Sequence, residues 1–270
     1  MQYDPIKKTF AQFIGENIFL RKIFYKILGL MFLREWNVKK ELKNLFSNQS
    51  KEIEMFDAGC GFGQYSYFCL KSFSNFKIYA IDIETHHIER AKSFFSNSAH
   101  SKKISFAIED LTQINHQSKF DFILSVDVME HIKEDEKVFQ NFYRALKPNG
   151  VLLVNTPSIY GGSDTESDTE ESFISEHARN GYSTEEISNK LTSAGFIIEK
   201  IKFTYGKIGI ISWRLGIKLP MLMLNQSKLF LIILPFYYLL TFWLTLILMF
   251  IDFKTQNQIG AGLIVVARKN

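Results

Sequence analysis

Cysteine is nearly missing from this chain: Cys60 and Cys69 are the only two in 270 residues. Two thiols nine positions apart favour reduced, unpaired cysteines in a cytosolic compartment over a disulfide or a metal pair. Strong charge of either sign is also lacking. A formal net charge of +4 is too mild to argue for a nucleic-acid partner. The opening residues MQYDPIKK have no apolar h-region directly behind them, so no signal peptide is expected. Charge is absent altogether from Leu229 to Ile251, LFLIILPFYYLLTFWLTLILMFI. By length and hydropathy alone that stretch is a transmembrane helix, since about 20 apolar residues cross a bilayer core of about 30 Å.

What is abundant is apolar: 46% of the chain, with 26 Phe, a composition that fits a protein with lipid-facing surface. Residues 10–36 place Leu20, Phe24, Ile27, Leu28 and Met31 at helical spacing. Arg21, Lys22, Lys26 and Arg34 interrupt that run, which makes a span unfavourable. Two readings stand for this helix, an amphipathic helix in the lipid interface or one packed on the protein's own core.

From residue 52 onward short apolar runs alternate with helical stretches. The runs are EIEMFDAG, KIYAIDI, ISFAIED, FDFILSVD and GVLLVNTP, and the helical stretches fall near 64–73, 85–98 and 132–147. This order predicts an α/β fold with a parallel sheet covered by helices on both faces. SDTESDTEES at 163–172 reads as a solvated acidic loop, with a lid as the competing reading. TEEISNKLTSAGF reads as a helix capped by Ser183 or Thr184 and ended near Gly195, with a strand following at about 196–205.

MFDAGCGFGQYS sets Asp57, Gly59, Gly61 and Gly63 at the end of the first strand. Glycines suit a sharp strand-to-helix turn that a ligand must approach closely. Asp82, followed by Ile83, ends the second strand, where a carboxylate can accept the hydroxyls of a ribose. A glycine loop alone is weak; the loop plus a correctly spaced acid, each after a strand, is a strong nucleotide signal. A dinucleotide fingerprint requires G-x-G-x-x-G, and Gly63 stands one place early for it.

The D-x-G-x-G-x-G spacing resembles the class I S-adenosylmethionine-dependent methyltransferases. The resemblance continues in IEDLTQ (108–113), FDFILSVDVMEHI (120–132) and YRALKPNGVLLVNTPS (143–158). It implies a Rossmann-like seven-stranded sheet whose last strand, GAGLIVVARK, runs antiparallel beside the sixth. S-adenosylmethionine is then the cofactor, with Asp110 at the adenine amino group, Leu111 packed nearby and Val126 in the strand that lines the methyl donor.

Asp127, Glu130 and His131 share one helical face if the segment after the fourth strand is an α-turn. This pattern is similar to that of ubiquinone-biosynthesis O-methyltransferases. With His177 as a fourth ligand, the resemblance implies a possible divalent cation, magnesium or zinc. The competing reading gives the Glu130–His131 pair a capping and packing role. Without metal, His131 or His177 is the general base, with Glu130 beside it. His86, His87, His100 and His116 read as surface residues.

The expected layout is an N-terminal amphipathic helical region (1–45), the methyltransferase core (46–206), a hydrophobic insertion (207–258) and the final strand (259–270). Adjacent strands of one sheet lie on the same side of a membrane, so a single crossing between strands six and seven is excluded. Arg214, Lys218, Lys228 and Pro220 make the first half of the insertion a poor span, and Pro235 is expected to split the second half. A monotopic device that dips into one leaflet and returns is the resulting expectation, with Trp213, Tyr237, Tyr238 and Trp243 at the interface. A two-pass hairpin and a dimerisation or capping surface remain as alternatives. The predicted function is methylation, preferably at oxygen, of an amphipathic molecule at the cytoplasmic face of a membrane. N-methylation of a lipid amine and a non-catalytic cofactor-binding scaffold are the alternatives.

Overall fold

The computed structural model describes residues 18–161 and 178–270. The acidic repeat and His177 lie outside the described residues, as do residues 10–17 of the predicted first helix.

Two helices open the described chain, α1 (Ile18–Met31) and α2 (Leu33–Phe46), joined at Phe32 in extended backbone. The sequence suggested one helix here. The core follows as β1 (Ile53–Ala58), α3 (Gln64–Ser72), β2 (Phe76–Asp82), α4 (Thr85–Ser96), β3 (Ile104–Ile108), β4 (Phe120–Val126), α5 (Asp135–Ala145), β5 (Leu146–Pro157), α6 (Thr184–Ser193) and β6 (Phe196–Thr204). Then come α7 (Lys207–Trp213), a π-helical turn (Arg214–Lys218), α8 (Leu219–Gln226), α9 (Phe230–Lys254) and β7 (Gly262–Lys269).

The seven strands form one sheet in the order β3-β2-β1-β4-β5-β7-β6, with β7 antiparallel to both β5 and β6. The strands earn their place by alternation. Met55, Phe122, Leu124 and Leu153 face α1–α4, whereas Phe56, Ile123, Leu152 and Val154 face α5 and α6. Strand β5 shifts register between Phe120 and Phe122 of its partner, where KPNG bulges out of the ladder with Asn149 at φ 63°. Helix α6 is capped by the Ser183 hydroxyl, which accepts the Glu186 N–H at 2.9 Å, and Gly195 follows it at φ 103°. Both cysteines are buried and free.

The segment after β6 is a helical hairpin. Its outgoing leg is α7, the π turn and α8; its returning leg is α9, about 37 Å long at 1.5 Å per residue. Pro235 does not split α9. It lies in the second turn, where one backbone bond is lost at an exposed end of the helix. The legs meet through Gly209 and Gly216. A Cβ on Gly209 would lie 2.8 Å from Asp252, and one on Gly216 would lie 2.7 Å from Thr245.

The tyrosines expected at a lipid interface act inside the hairpin instead. Pro220 has no N–H to give the Leu215 carbonyl five residues back or the Gly216 carbonyl four back. The Tyr237 hydroxyl donates to Leu215 O at 2.6 Å and the Tyr238 hydroxyl to Gly216 O at 2.8 Å. Trp243 is exposed and Trp213 half-buried.

Candidate active site

The glycine loop after β1 turns through left-handed backbone at Gly59 (φ 82°), Gly61 (φ 50°) and Gly63 (φ 76°). A Cβ on Gly59 would strike Val128 at 2.4 Å, which fixes the β1 and β4 tips against each other. A Cβ on Gly61 would meet nothing within 4 Å, so the backbone there faces open space where a ligand can approach. Gly61 N–H donates to Asp82 Oδ2 at 2.8 Å, tying the loop to the second strand tip.

Asp82 Oδ1 accepts the Glu84 N–H at 2.9 Å and lies 3.3 Å from His87 Nδ1. Burial works against its ionisation, but His87 and the two backbone N–H groups hold it below the usual carboxylate range. An ionised carboxylate therefore stands at the tip of β2. Beside it Ile83 is 62% exposed, an apolar side chain presented to a ligand. Asp57 is buried beneath the loop and accepts the Ser66 hydroxyl at 2.5 Å; burial raises its carboxyl to about 7 despite that bond. Through that bond it braces α3 under the glycine loop.

Past β3, exposed Asp110 accepts the Thr112 N–H at 2.8 Å and Leu111 is buried. Asp110 borders a cavity of about 460 Å³ lined also by Glu109, Ile114 and His116. The residues predicted for the nucleotide thus line successive strand tips, the side of an open α/β sheet where ligands bind. The residues present fit an S-adenosylmethionine: Asp82 would hold the ribose hydroxyls, exposed Ile83 would lie beside the base, and the open face at Gly61 would admit the rest of the molecule.

The segment after β4 departs from expectation. Val126 is half-buried at the strand end and Asp127 follows in left-handed backbone (φ 52°). Met129–His131 is a single 3-10 turn, so the α-helical face that would gather Asp127, Glu130 and His131 does not form. Asp127 accepts Asn155 Nδ2 at 2.8 Å on one oxygen and pairs with Arg34 on the other. Glu130 is 1% exposed and accepts the Thr156 hydroxyl at 3.2 Å, with burial lifting its carboxyl to about 7. His131 points to the exposed side. Among the described residues no three His, Cys, Asp or Glu side chains are grouped to hold a metal, so the magnesium or zinc site is not formed by them. His177 cannot be placed with them.

Two histidines read as surface residues belong to the site's support. His87 is 8% exposed behind Asp82, and His116 Nε2 lies 3.3 Å from Glu109. Ser66, Asn155, Thr156, Tyr205 and Arg34 went unnoticed because each reaches the strand tips only through the tertiary fold. The one sequence signal was Arg34, a charge interrupting an apolar run.

A family profile described as a methyltransferase domain matches residues 49–205, well over half of the chain. Malonyl-[acyl-carrier protein] O-methyltransferase 2 of Ilyobacter polytropus is 28% identical over 171 residues, 60% of this chain and 63% of that protein. A ubiquinone biosynthesis O-methyltransferase of Pelagibacter ubique is 28% identical over 131 residues, 48% of this chain and 52% of the other. The chain spans less than two thirds of the length of the curated relatives it matches. Among solved structures, a Haemonchus contortus phosphoethanolamine N-methyltransferase 2 in complex with S-adenosyl-L-methionine superposes with TM-score 0.62. The two are 20% identical, over 96% of this chain and 60% of that one. The chain belongs to the methyltransferase-domain family, with the class I S-adenosylmethionine-dependent fold.

Proposed function

We propose that this methyltransferase-family chain moves a methyl group from S-adenosylmethionine to a hydroxyl oxygen of an amphipathic molecule that resides in a membrane. The observation that carries the membrane half is α9. Leu239, Leu240 and Trp243 are 74%, 80% and 68% exposed, and only 6% of its most apolar window is buried. Apolar side chains at that exposure favour lipid over water, each by about 1.5–3 kcal/mol when fully covered.

Helix α1 adds a second exposed stripe, Phe19, Ile23, Ile27 and Leu30, while Arg21 and Tyr25 on its other side are buried. That division serves both readings of the helix at once, a core face and an outer apolar face. Lysines surround the hairpin root: Lys40 sits 4.8 Å from the Phe253 ring, Lys202 5.9 Å from it, and Lys254 5.6 Å from Phe250. A basic collar beside an apolar surface suits the head groups of an anionic leaflet. The hairpin leaves and re-enters the sheet between β6 and β7, so the core stays on one side of the membrane, and we read the hairpin as a monotopic anchor.

Bound S-adenosylmethionine supplies an already activated methyl group, so the chain's share is alignment and control of the acceptor's proton. Asp82 and the glycine loop orient the donor, and α1 with the hairpin keeps the acceptor at the strand tips. Relatives named O-methyltransferases support oxygen as the acceptor atom. Incubation with tritiated S-adenosylmethionine and a total lipid extract tests the proposal. Label in the lipid phase, with a mass gain of one CH2, is expected; label confined to water-soluble products refutes the lipid acceptor. Calorimetry showing preference for NAD over S-adenosylmethionine refutes the activity.

A further inference from the structure

We infer that His87 is a positioning residue for the methyl donor: it carries a proton on Nδ1 and gives it to Asp82 Oδ1, and so leaves Asp82 Oδ2 as the oxygen that meets the ligand. The inference rests on the S-adenosylmethionine reading of the site and adds a residue to it.

The two oxygens of Asp82 are not equivalent. Oδ1 takes the Glu84 N–H at 2.9 Å and lies 3.3 Å from His87 Nδ1, whereas Oδ2 takes the Gly61 N–H at 2.8 Å. A carboxylate oxygen has room for about two donors. Oδ1 is therefore filled, and Oδ2 has a place left. Oδ2 is also the oxygen bonded to Gly61, where the backbone faces open space. An ionised carboxylate only accepts, so its contact with Nδ1 requires the proton to stand on that nitrogen. Among the described residues, His87 is the side chain that bonds Asp82; its other bonds come from backbone. Asp57 lies under the same loop, near enough for the two carboxyls to oppose each other's ionisation. A side-chain donor at Oδ1 offsets that opposition.

The same ring reaches the glycine loop. It lies against Phe62, between Gly61 and Gly63, with centroids 5.1 Å apart. Phe62 also meets Phe24 of α1 edge-on at 5.6 Å, and its carbonyl accepts the Tyr25 hydroxyl. His87 sits in the first turn of α4, where its own N–H donates to Glu84 O at 3.0 Å, and it is buried. One imidazole thus joins the acid at the β2 tip to the loop after β1. Those are the two elements on which the donor is read to rest.

Calorimetry of S-adenosylhomocysteine with the full chain separates the bond from the packing. His87→Phe keeps a ring against Phe62 and removes the donor. His87→Asn removes the ring and keeps an N–H in the place of Nδ1. His87→Phe is expected to weaken binding about tenfold or more, and His87→Asn to stay within about threefold of wild type. Wild-type affinity in His87→Phe, or a loss in His87→Asn as large as in His87→Phe, overturns the inference. Nitrogen NMR of the isotope-labelled wild-type protein needs no variant to fold. A protonated Nδ1 on His87 at about pH 8 is expected, and a bare Nδ1 overturns the inference. A wild-type protein that binds no S-adenosylhomocysteine refutes the donor reading itself, a result separate from any difference among the variants.

Discussion

Strand β4 and helix α9 are built from the same kinds of residue and end in opposite places. In β4, Phe122, Ile123 and Leu124 are 0% exposed; in α9, Leu231, Ile232, Phe236 and Leu240 are more than half exposed. The sheet covers its apolar residues because β1 and β5 lie on either side and helices close both faces. Helix α9 touches the outgoing leg along one stripe, meets α2 near its C-terminal end through Phe253 and Trp36, and leaves most of its remaining surface open. Side-chain chemistry sets how much is gained by leaving water, and the partners supplied by the fold decide whether the protein itself provides that environment. The core is thus a protein-filled interior and the hairpin an interior still to be filled, for which the lipid surface is the proposed partner.

The largest effect should come from the core side of this comparison. Asp82→Ala removes both the loop's anchor and the proposed ribose partner, and S-adenosylmethionine affinity should fall by about a hundredfold or more, read by calorimetry. Membrane association should survive that change. On the hairpin side, replacing Ile232, Phe236, Leu240 and Ile247 together by Ser should abolish co-flotation with anionic liposomes and spare donor binding. Liposome binding at the wild-type level would show that the exposed face of α9 is not the docking surface.

A smaller effect is expected where the hairpin stabilises itself. Tyr237→Phe with Tyr238→Phe leaves the two carbonyls opposite Pro220 unpartnered, at about 1–3 kcal/mol each. Amide exchange should rise within residues 207–254 and stay unchanged in the sheet. Adding Pro220→Ala, which returns an N–H, should recover part of the loss.

The smallest effect is a pH dependence in the core. Burial raises Asp57 and Glu130 to about 7. The folded state therefore holds more protons than the unfolded state between about pH 4 and 7, and stability falls as pH rises through that window. Glu130→Gln should lift this burden by about 1–3 kcal/mol at pH 8, with the gain shrinking toward pH 4, measured as melting temperature against pH. A gain independent of pH would mean that the carboxyl's ionisation is not its source.

Much of the core was legible in the sequence because its signals are local. A strand of alternating faces, a glycine where φ is positive and an acid at a strand tip are each written within a few residues. The glycine loop and Asp82 at the second strand tip could therefore be placed before the structure, while the antiparallel last strand followed from the family resemblance. The misreadings share a cause. Asp127, Glu130 and His131 were grouped by helical spacing, but the backbone there turns as a single 3-10 turn, which sends His131 outward and Glu130 inward. His87 looked exposed on an amphipathic helix until α4 was packed against the β2 tip.

The sequence by itself determined the sheet, the nucleotide loop and the presence of a long uncharged helix, because periodicity and backbone conformation act over a few residues. Only the tertiary structure decided that this helix is one leg of a hairpin, that Tyr237 and Tyr238 answer the backbone gap left by Pro220, and that Arg34 reaches Asp127 and Tyr205. Those bonded pairs lie 22 to 171 residues apart in the chain. The physical reason is that a buried polar group must find its partner in space, and no local pattern records which distant residue the fold will bring to it.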